Sequence, residues 1–208
     1  MHKIPVGILG ASGYAGRELC GLVAGHPQLT LAFATADSRR GERIRVRVPG
    51  EAPNEITFVA TDDARLDEAA LVFSALPHGA SATWVERARA AGAKVVDLSS
   101  DLRPGHLTPE LLAALGAARG ALATAGGAPA GQGAGGEERV PYGLPELFRD
   151  EVRAADVVAN PGCYPTSVLV GLAPLAERGL LAPGATVSVA AASEIGRASC
   201  RERVSTDV

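Results

Sequence analysis

The chain has 208 residues, 47% hydrophobic and 21% charged, so it can bury a substantial core and falls outside the disordered class. Twenty Lys and Arg against 23 Asp and Glu leave a formal charge of −3, with no basic concentration suited to nucleic acid or anionic lipid. Dividing by about 150 residues per domain gives about 1.4, an awkward figure for one complete module or for two.

The first element in chain order is an apolar run, Ile4-Pro5-Val6-Gly7-Ile8-Leu9, of strand length. Gly7 and Gly10 interrupt it before a secretory core could form. The turn Gly10-Ala11-Ser12-Gly13-Tyr14-Ala15-Gly16 follows, and then helical spacing with Leu19, Leu22 and Val23 on one face. Residues 29–35 read as a second strand, which completes a parallel βαβ unit. The stretch from Arg39 to Arg47 is the densest in basic residues and reads as a solvated loop.

Residues 56–59 predict a weak strand and 70–76 a stronger one, whose continuous hydrophobicity suits a strand covered on both faces. A helix is expected over 79–91, ending at Gly92, followed by a strand over 94–98. Residues 116–136 are rich in Ala and Gly and read as a flexible loop insertion. A short helix at Pro145-Glu146-Leu147-Phe148, a strand at 156–159, a helix over 165–178 and a strand at 186–192 complete the pattern. This alternation predicts an α/β fold with an open parallel sheet. No 18-residue apolar stretch is present.

A G-x-x-G-x-x-G turn between a strand and a helix lets the backbone approach a pyrophosphate and aims helix N–H groups at it. Asp37 could take a ribose hydroxyl, whereas Ser38, Arg39 and Arg40 could take a 2′-phosphate. Guanidinium forks bind phosphate in a bidentate, charge-assisted way, so NADP is favoured over NAD. Cys163, in Asn160-Pro161-Gly162-Cys163-Tyr164-Pro165-Thr166, stands between a strand and a helix N-terminus, where the macrodipole favours a nucleophilic sulfur. Cys20 lies in an apolar helical pattern and reads as core. A reactive thiol beside a nicotinamide suggests thioester formation followed by hydride transfer. The three cysteines, Cys20, Cys163 and Cys200, lack disulfide or metal-ligand spacing, so no metal is expected and the reducing cytoplasm is.

Five motifs carry a family resemblance. Gly10 to Gly16, Ala75-Leu76-Pro77-His78-Gly79, Asp97-Leu98-Ser99-Ser100-Asp101-Leu102-Arg103, Tyr142-Gly143-Leu144-Pro145-Glu146 and the Cys163 segment together resemble N-acetyl-gamma-glutamyl-phosphate reductases, of the semialdehyde dehydrogenase superfamily, over about residues 4–193. The resemblance implies NADPH-dependent reduction of an acyl phosphate to a semialdehyde in arginine biosynthesis, with Cys163 as catalytic nucleophile. The cofactor would be held by Gly10, Ser12, Gly13, Tyr14, Ala15, Gly16, Ser38 and Arg39, with Pro77 and His78 beside it. It also implies a homo-oligomer, a small-molecule acyl phosphate as partner rather than nucleic acid or membrane, and a histidine acid/base well downstream of the nucleophile.

The sequence departs from that pattern near its end. The four histidines, His2, His26, His78 and His106, all precede Cys163. Back-translated, residues 194–204 resemble a sequencing adapter. The expected organisation is therefore a Rossmann-type NADP-binding domain at 1–145, the beginning of a second α/β catalytic domain at 146–193, and a non-native tail at 194–208. Such a truncated chain is expected to be inactive and poorly stable, with an uncovered sheet edge. The alternatives are a non-catalytic NADP-binding module, or a reductase of aspartyl or aminoadipyl phosphates.

Overall fold

A computed structural model describes residues 2–48, 50, 52–103, 140–180, 186 and 188–190. The sequence-based readings of a loop insertion at 116–136, of His106 and of the tail at 194–208 lie outside the described residues, as does most of the strand expected at 186–192. Contacts divide the chain into two compact units, Met1–Asn160 and Pro161–Val208.

The first unit is built on five parallel strands in the order β2-β1-β5-β6-β7. They are β1 (Ile4–Leu9), β2 (Leu29–Ala34), β5 (Leu71–Ser74), β6 (Lys94–Asp97) and β7 (Val157–Ala159). The order runs outward from β1 in both directions, which is the doubly wound arrangement, with its switch between β1 and β5. Crossovers are supplied by α1 (Tyr14–Gly25) and α2 (Ser81–Ala90), and α3 (Pro145–Ala154) leads into β7. The short helix expected at 145–148 thus runs for ten residues, across a kink at Phe148.

Side chains alternate across β1, so the strand feeds two cores. Val6 and Ile8 join Cys20 and Val23 of α1 on one face, while Leu9 joins Val72, Val85 and Val95 on the other. Burial of both faces explains the unbroken apolar run. Burial also pushes the Cys20 thiol up to about 12, in keeping with its reading as core.

The basic stretch expected to be a loop is instead partly a strand. β3 (Arg43–Val46) pairs antiparallel with β4 (Asn54–Thr57). Arg43 and Arg45 face water while Ile44 and Val46 are buried against the α1 side of the sheet. The period of two was there, but only two apolar residues carried it among five arginines.

Two polar groups hold the far edge of this unit. Arg89, its side chain 4% exposed, donates to the Ala93 carbonyl (2.6 Å) and to Asp156 Oδ2 (3.0 Å) just before β7. Lys94 Nζ donates to the Ala155 carbonyl at 2.9 Å. In the second unit, α4 (Cys163–Glu177) is the described helix. No helix among the described residues is long and apolar enough to cross a membrane.

Candidate functional site

Every parallel strand of the first unit delivers its carboxyl end to one rim, and the expected cofactor residues of that unit lie there. β1 ends at Leu9 and turns through Gly10, whose φ is +74°. A Cβ at Gly10 would stand 2.6 Å from the Ala75 carbonyl oxygen, so the loops after β1 and β5 meet backbone to backbone. A Cβ at Gly16 would run into the Gly10 carbonyl oxygen, which shows how closely α1 rides on its own loop. The Gly10 N–H donates to Thr35 Oγ1 (3.1 Å) and the Ala11 N–H to the Thr35 carbonyl (2.7 Å), tying the loop to the end of β2.

Gly13 is the N-cap of α1 and no side chain caps the helix. A helix start that no side chain caps, entered through Gly10 and Gly13, fits a pyrophosphate, because the helix dipole favours an anion there. Ser12 is half-buried there, and Gly13, Tyr14 and Ala15 are exposed.

At the end of β2 the chain makes a 3-10 turn, Asp37–Arg39. The Asp37 carboxylate accepts from the Thr61 N–H (2.6 Å) and Thr61 Oγ1 (3.0 Å), so it is engaged in closing the loop. Ser38 is exposed. Arg39 is bound side-on by Glu42, through Nε (2.7 Å) and Nη2 (2.5 Å), and its guanidinium carbon lies 5.6 Å from the centre of the Phe58 ring. That hydrogen bond holds Arg39 above its ordinary value and Glu42 below its own, with a smaller Coulombic pull on Glu42 from Arg17. Arg40 pairs with Asp63 at 3.0 Å.

After β5, Pro77 and His78 are exposed on the same rim. His78 Nδ1 accepts from the Ser100 N–H at 2.8 Å and faces Ser100 Oγ at 3.0 Å. The neutral ring therefore carries its proton on Nε2. Beside it lies a polar network to which sequence reasoning gave no role. Asp97 is fully buried and accepts from Ser81 Oγ (2.5 Å), Ser99 Oγ (2.7 Å) and the Ser99 N–H (3.1 Å). Asp101 accepts from the N–H groups of Gly79 (2.7 Å), Ser81 (3.0 Å) and Ala82 (3.2 Å), and so caps α2 from outside the helix. The available signal was the cluster of Asp and Ser directly after a buried strand. Glu42 left no such signal among the arginines around it.

In the second unit Cys163 is the first residue of α4 and is exposed, after Gly162 as an uncapped N-cap. The Thr166 N–H and Oγ1 both donate to the Gly162 carbonyl, at 3.0 and 2.8 Å, which fixes the first turn. Cys163 and the rim residues belong to different units. Among the described residues no group of His, Cys, Asp and Glu is placed to hold a metal ion.

Residues 5–155 match the family model described as semialdehyde dehydrogenase, NAD binding domain. The chain belongs to that family. Among curated relatives of this semialdehyde dehydrogenase NAD-binding domain, the chain is 39% identical over 198 residues to an N-acetyl-gamma-glutamyl-phosphate reductase of Halorhodospira halophila, covering 89% of the chain and 50% of the relative. It is 37% identical to that of Moorella thermoacetica (97% and 55%) and 42% identical to that of Salinispora tropica (94% and 54%). The chain spans about half the length of the curated relatives it matches. An aspartate semialdehyde dehydrogenase II from Vibrio cholerae shares the fold, with a TM-score of 0.59 at 19% identity over 85% of this chain and 47% of that one.

Proposed function

We propose that this chain is part of an NADPH-dependent reductase that converts N-acetyl-gamma-glutamyl phosphate to the semialdehyde and phosphate. The observation that carries the reading is the match to curated reductases at 37% identity over 97% of the chain, a span that takes in both the glycine turn and Cys163. Gly10, Ser12, Gly13, Tyr14, Ala15 and Gly16 hold the cofactor pyrophosphate at the α1 N-terminus. Ser38 and Arg39 take the 2′-phosphate, and Pro77 and His78 flank the cofactor, His78 offering its Nε2–H.

Cys163 is the nucleophile: its sulfur bonds to the acyl carbon, the C–O bond to phosphate breaks, and phosphate leaves with the electron pair. The cofactor, when bound, supplies the hydride that takes the thioester to the aldehyde. Collapse then returns the electron pair to Cys163. The organisation proposed is an NADP-binding domain at 1–145 and the start of a catalytic domain at 146–193. In this division β7 pairs with β6, so the 146–193 segment adds the fifth strand to the parallel sheet. The whole protein acts in the cytoplasm, as a homo-oligomer, on a small-molecule acyl phosphate.

Because no histidine follows Cys163, the 208-residue chain is expected to bind NADPH but to give neither NADPH oxidation nor a Cys163 thioester at a useful rate with the acyl phosphate. Absorbance at the NADPH band and mass spectrometry of the Cys163 peptide check this. In the protein extended to the length of its relatives both signals are expected, and Cys163→Ser should abolish both. Turnover surviving Cys163→Ser would sink the nucleophile assignment, and failure to bind NADPH would sink the nucleotide reading.

A further inference from the structure

We propose that Glu42 is a positioning residue that sets selectivity for a cofactor bearing a 2′-phosphate, by holding Arg39 so that a second guanidinium edge stays open to that phosphate. The inference rests on the NADPH reading above and adds a residue that reading does not contain.

Residues 39–42 form a type II turn. The Glu42 N–H donates to the Arg39 carbonyl at 3.0 Å, Arg40 has φ −52° and ψ 133°, and Gly41 has φ +78°. A positive φ at the third position is what makes glycine the residue for Gly41. The turn is bolted to Phe58, whose carbonyl accepts from the Gly41 N–H (2.8 Å) and whose N–H donates to the Glu42 carbonyl (3.0 Å). Phe58 itself is 1% exposed. Both ends of the Arg39–Glu42 pair therefore start from a fixed backbone.

An arginine has five N–H donors in one plane. Glu42 takes the one on Nε and one on Nη2, which leaves the two on Nη1 and the second on Nη2. Those remaining donors form a fork of the shape that binds phosphate oxygens in pairs. Among the described residues no other carboxylate pairs with Arg39. The neighbours are less suited. Asp37 is committed to Thr61, and the Arg40 side chain is 67% exposed and engaged by Asp63. Arg17, near enough to act on Glu42 electrostatically, leaves the cluster of Arg17, Arg39 and Glu42 with a net positive charge.

Glu42 also repels a phosphate, so two effects oppose each other. The repulsion acts inside the Debye length of about 8 Å, so salt screens it only in part, but the high dielectric at an exposed site keeps it weak. Against it stands the rotamer freedom of a long arginine side chain, which Glu42 has already removed before the ligand arrives. Preorganisation wins, and removing Glu42 should weaken phosphate binding.

Titration calorimetry of the 208-residue chain with 2′,5′-ADP and with 5′-ADP tests this. The unaltered chain should bind 2′,5′-ADP more tightly. Glu42→Ala should lose about fivefold in affinity for 2′,5′-ADP with 5′-ADP unchanged, and Glu42→Gln, which keeps one N–H···O bond, should fall between. The melting temperature should stay put, because an exposed ion pair adds little stability. Unchanged or tighter 2′,5′-ADP binding by Glu42→Ala would make Glu42 a competitor and overturn the inference while leaving the NADPH reading intact. Equal losses for both nucleotides would overturn it in favour of a structural role. An unaltered chain that fails to distinguish the two nucleotides would overturn the NADPH reading and this inference with it.

Discussion

The rim of the parallel sheet and the helix that bears Cys163 differ in what supports them. Behind the rim, Val6, Ile8, Leu9, Val72 and Val85 are fully buried and two cores cover the sheet on both faces. Along α4 no residue is buried, and Val170 and Leu175 are 41% and 40% exposed. The nucleotide side thus draws its rigidity from packing within its own unit, as a loop that must present backbone N–H groups to an anion requires. At the Cys163 turn the Gly162 carbonyl accepts from the Thr166 N–H and Oγ1, and most of the stability of a protein helix comes from packing rather than from such local terms. The rim and the start of α4 are therefore supported to different degrees in this chain.

Substitutions can break or sharpen that contrast. Gly10→Val should have the largest effect, because a side chain there combines a φ of +74° with a clash against the Ala75 carbonyl. A loss of at least about 3 kcal/mol is expected, together with NADPH binding. Thermal unfolding and a cofactor titration measure the two, and retained cofactor affinity would show that the loops need not touch.

Val85→Ala, in the α2 core, should cost about 2 kcal/mol in a urea melt. Cys20 gives a smaller, pH-dependent effect. Its folded value of about 12 stands above the ordinary 9.0, so its share of stability is complete below pH 9 and is lost as pH rises toward 12. About 1 kcal/mol should be gone by pH 10, and Cys20→Ala should flatten that alkaline slope. Leu175→Ala in α4 should change stability least, within about 0.5 kcal/mol. A loss as large as that of Val85→Ala would erase the contrast between the two regions.

Much of this was legible in the residues themselves. Strands β1 and β5 announced themselves because burial on both faces demands continuous apolar runs, and the glycine turn because a close approach excludes Cβ atoms. β3 was hidden because only Ile44 and Val46 carry its apolar face. The Asp97 network was visible as composition but not as function: Ser99 lies only two residues on, but Ser81 becomes a partner only when α2 folds back along the sheet.

By itself, then, the sequence determined the doubly wound nucleotide fold, the strand–turn–helix that fits a pyrophosphate and the placement of Cys163 at a helix start, because periodicity, glycine and local capping act over a few neighbouring residues. Only the tertiary structure decided which charged groups are spoken for. Asp37 and Thr61 are 24 positions apart, Arg89 and Asp156 are 67 apart, and the Arg39–Glu42 pair is set on a ring from a different segment. Hydrogen bonds of that kind depend on distances in space, and no spacing along the chain encodes them.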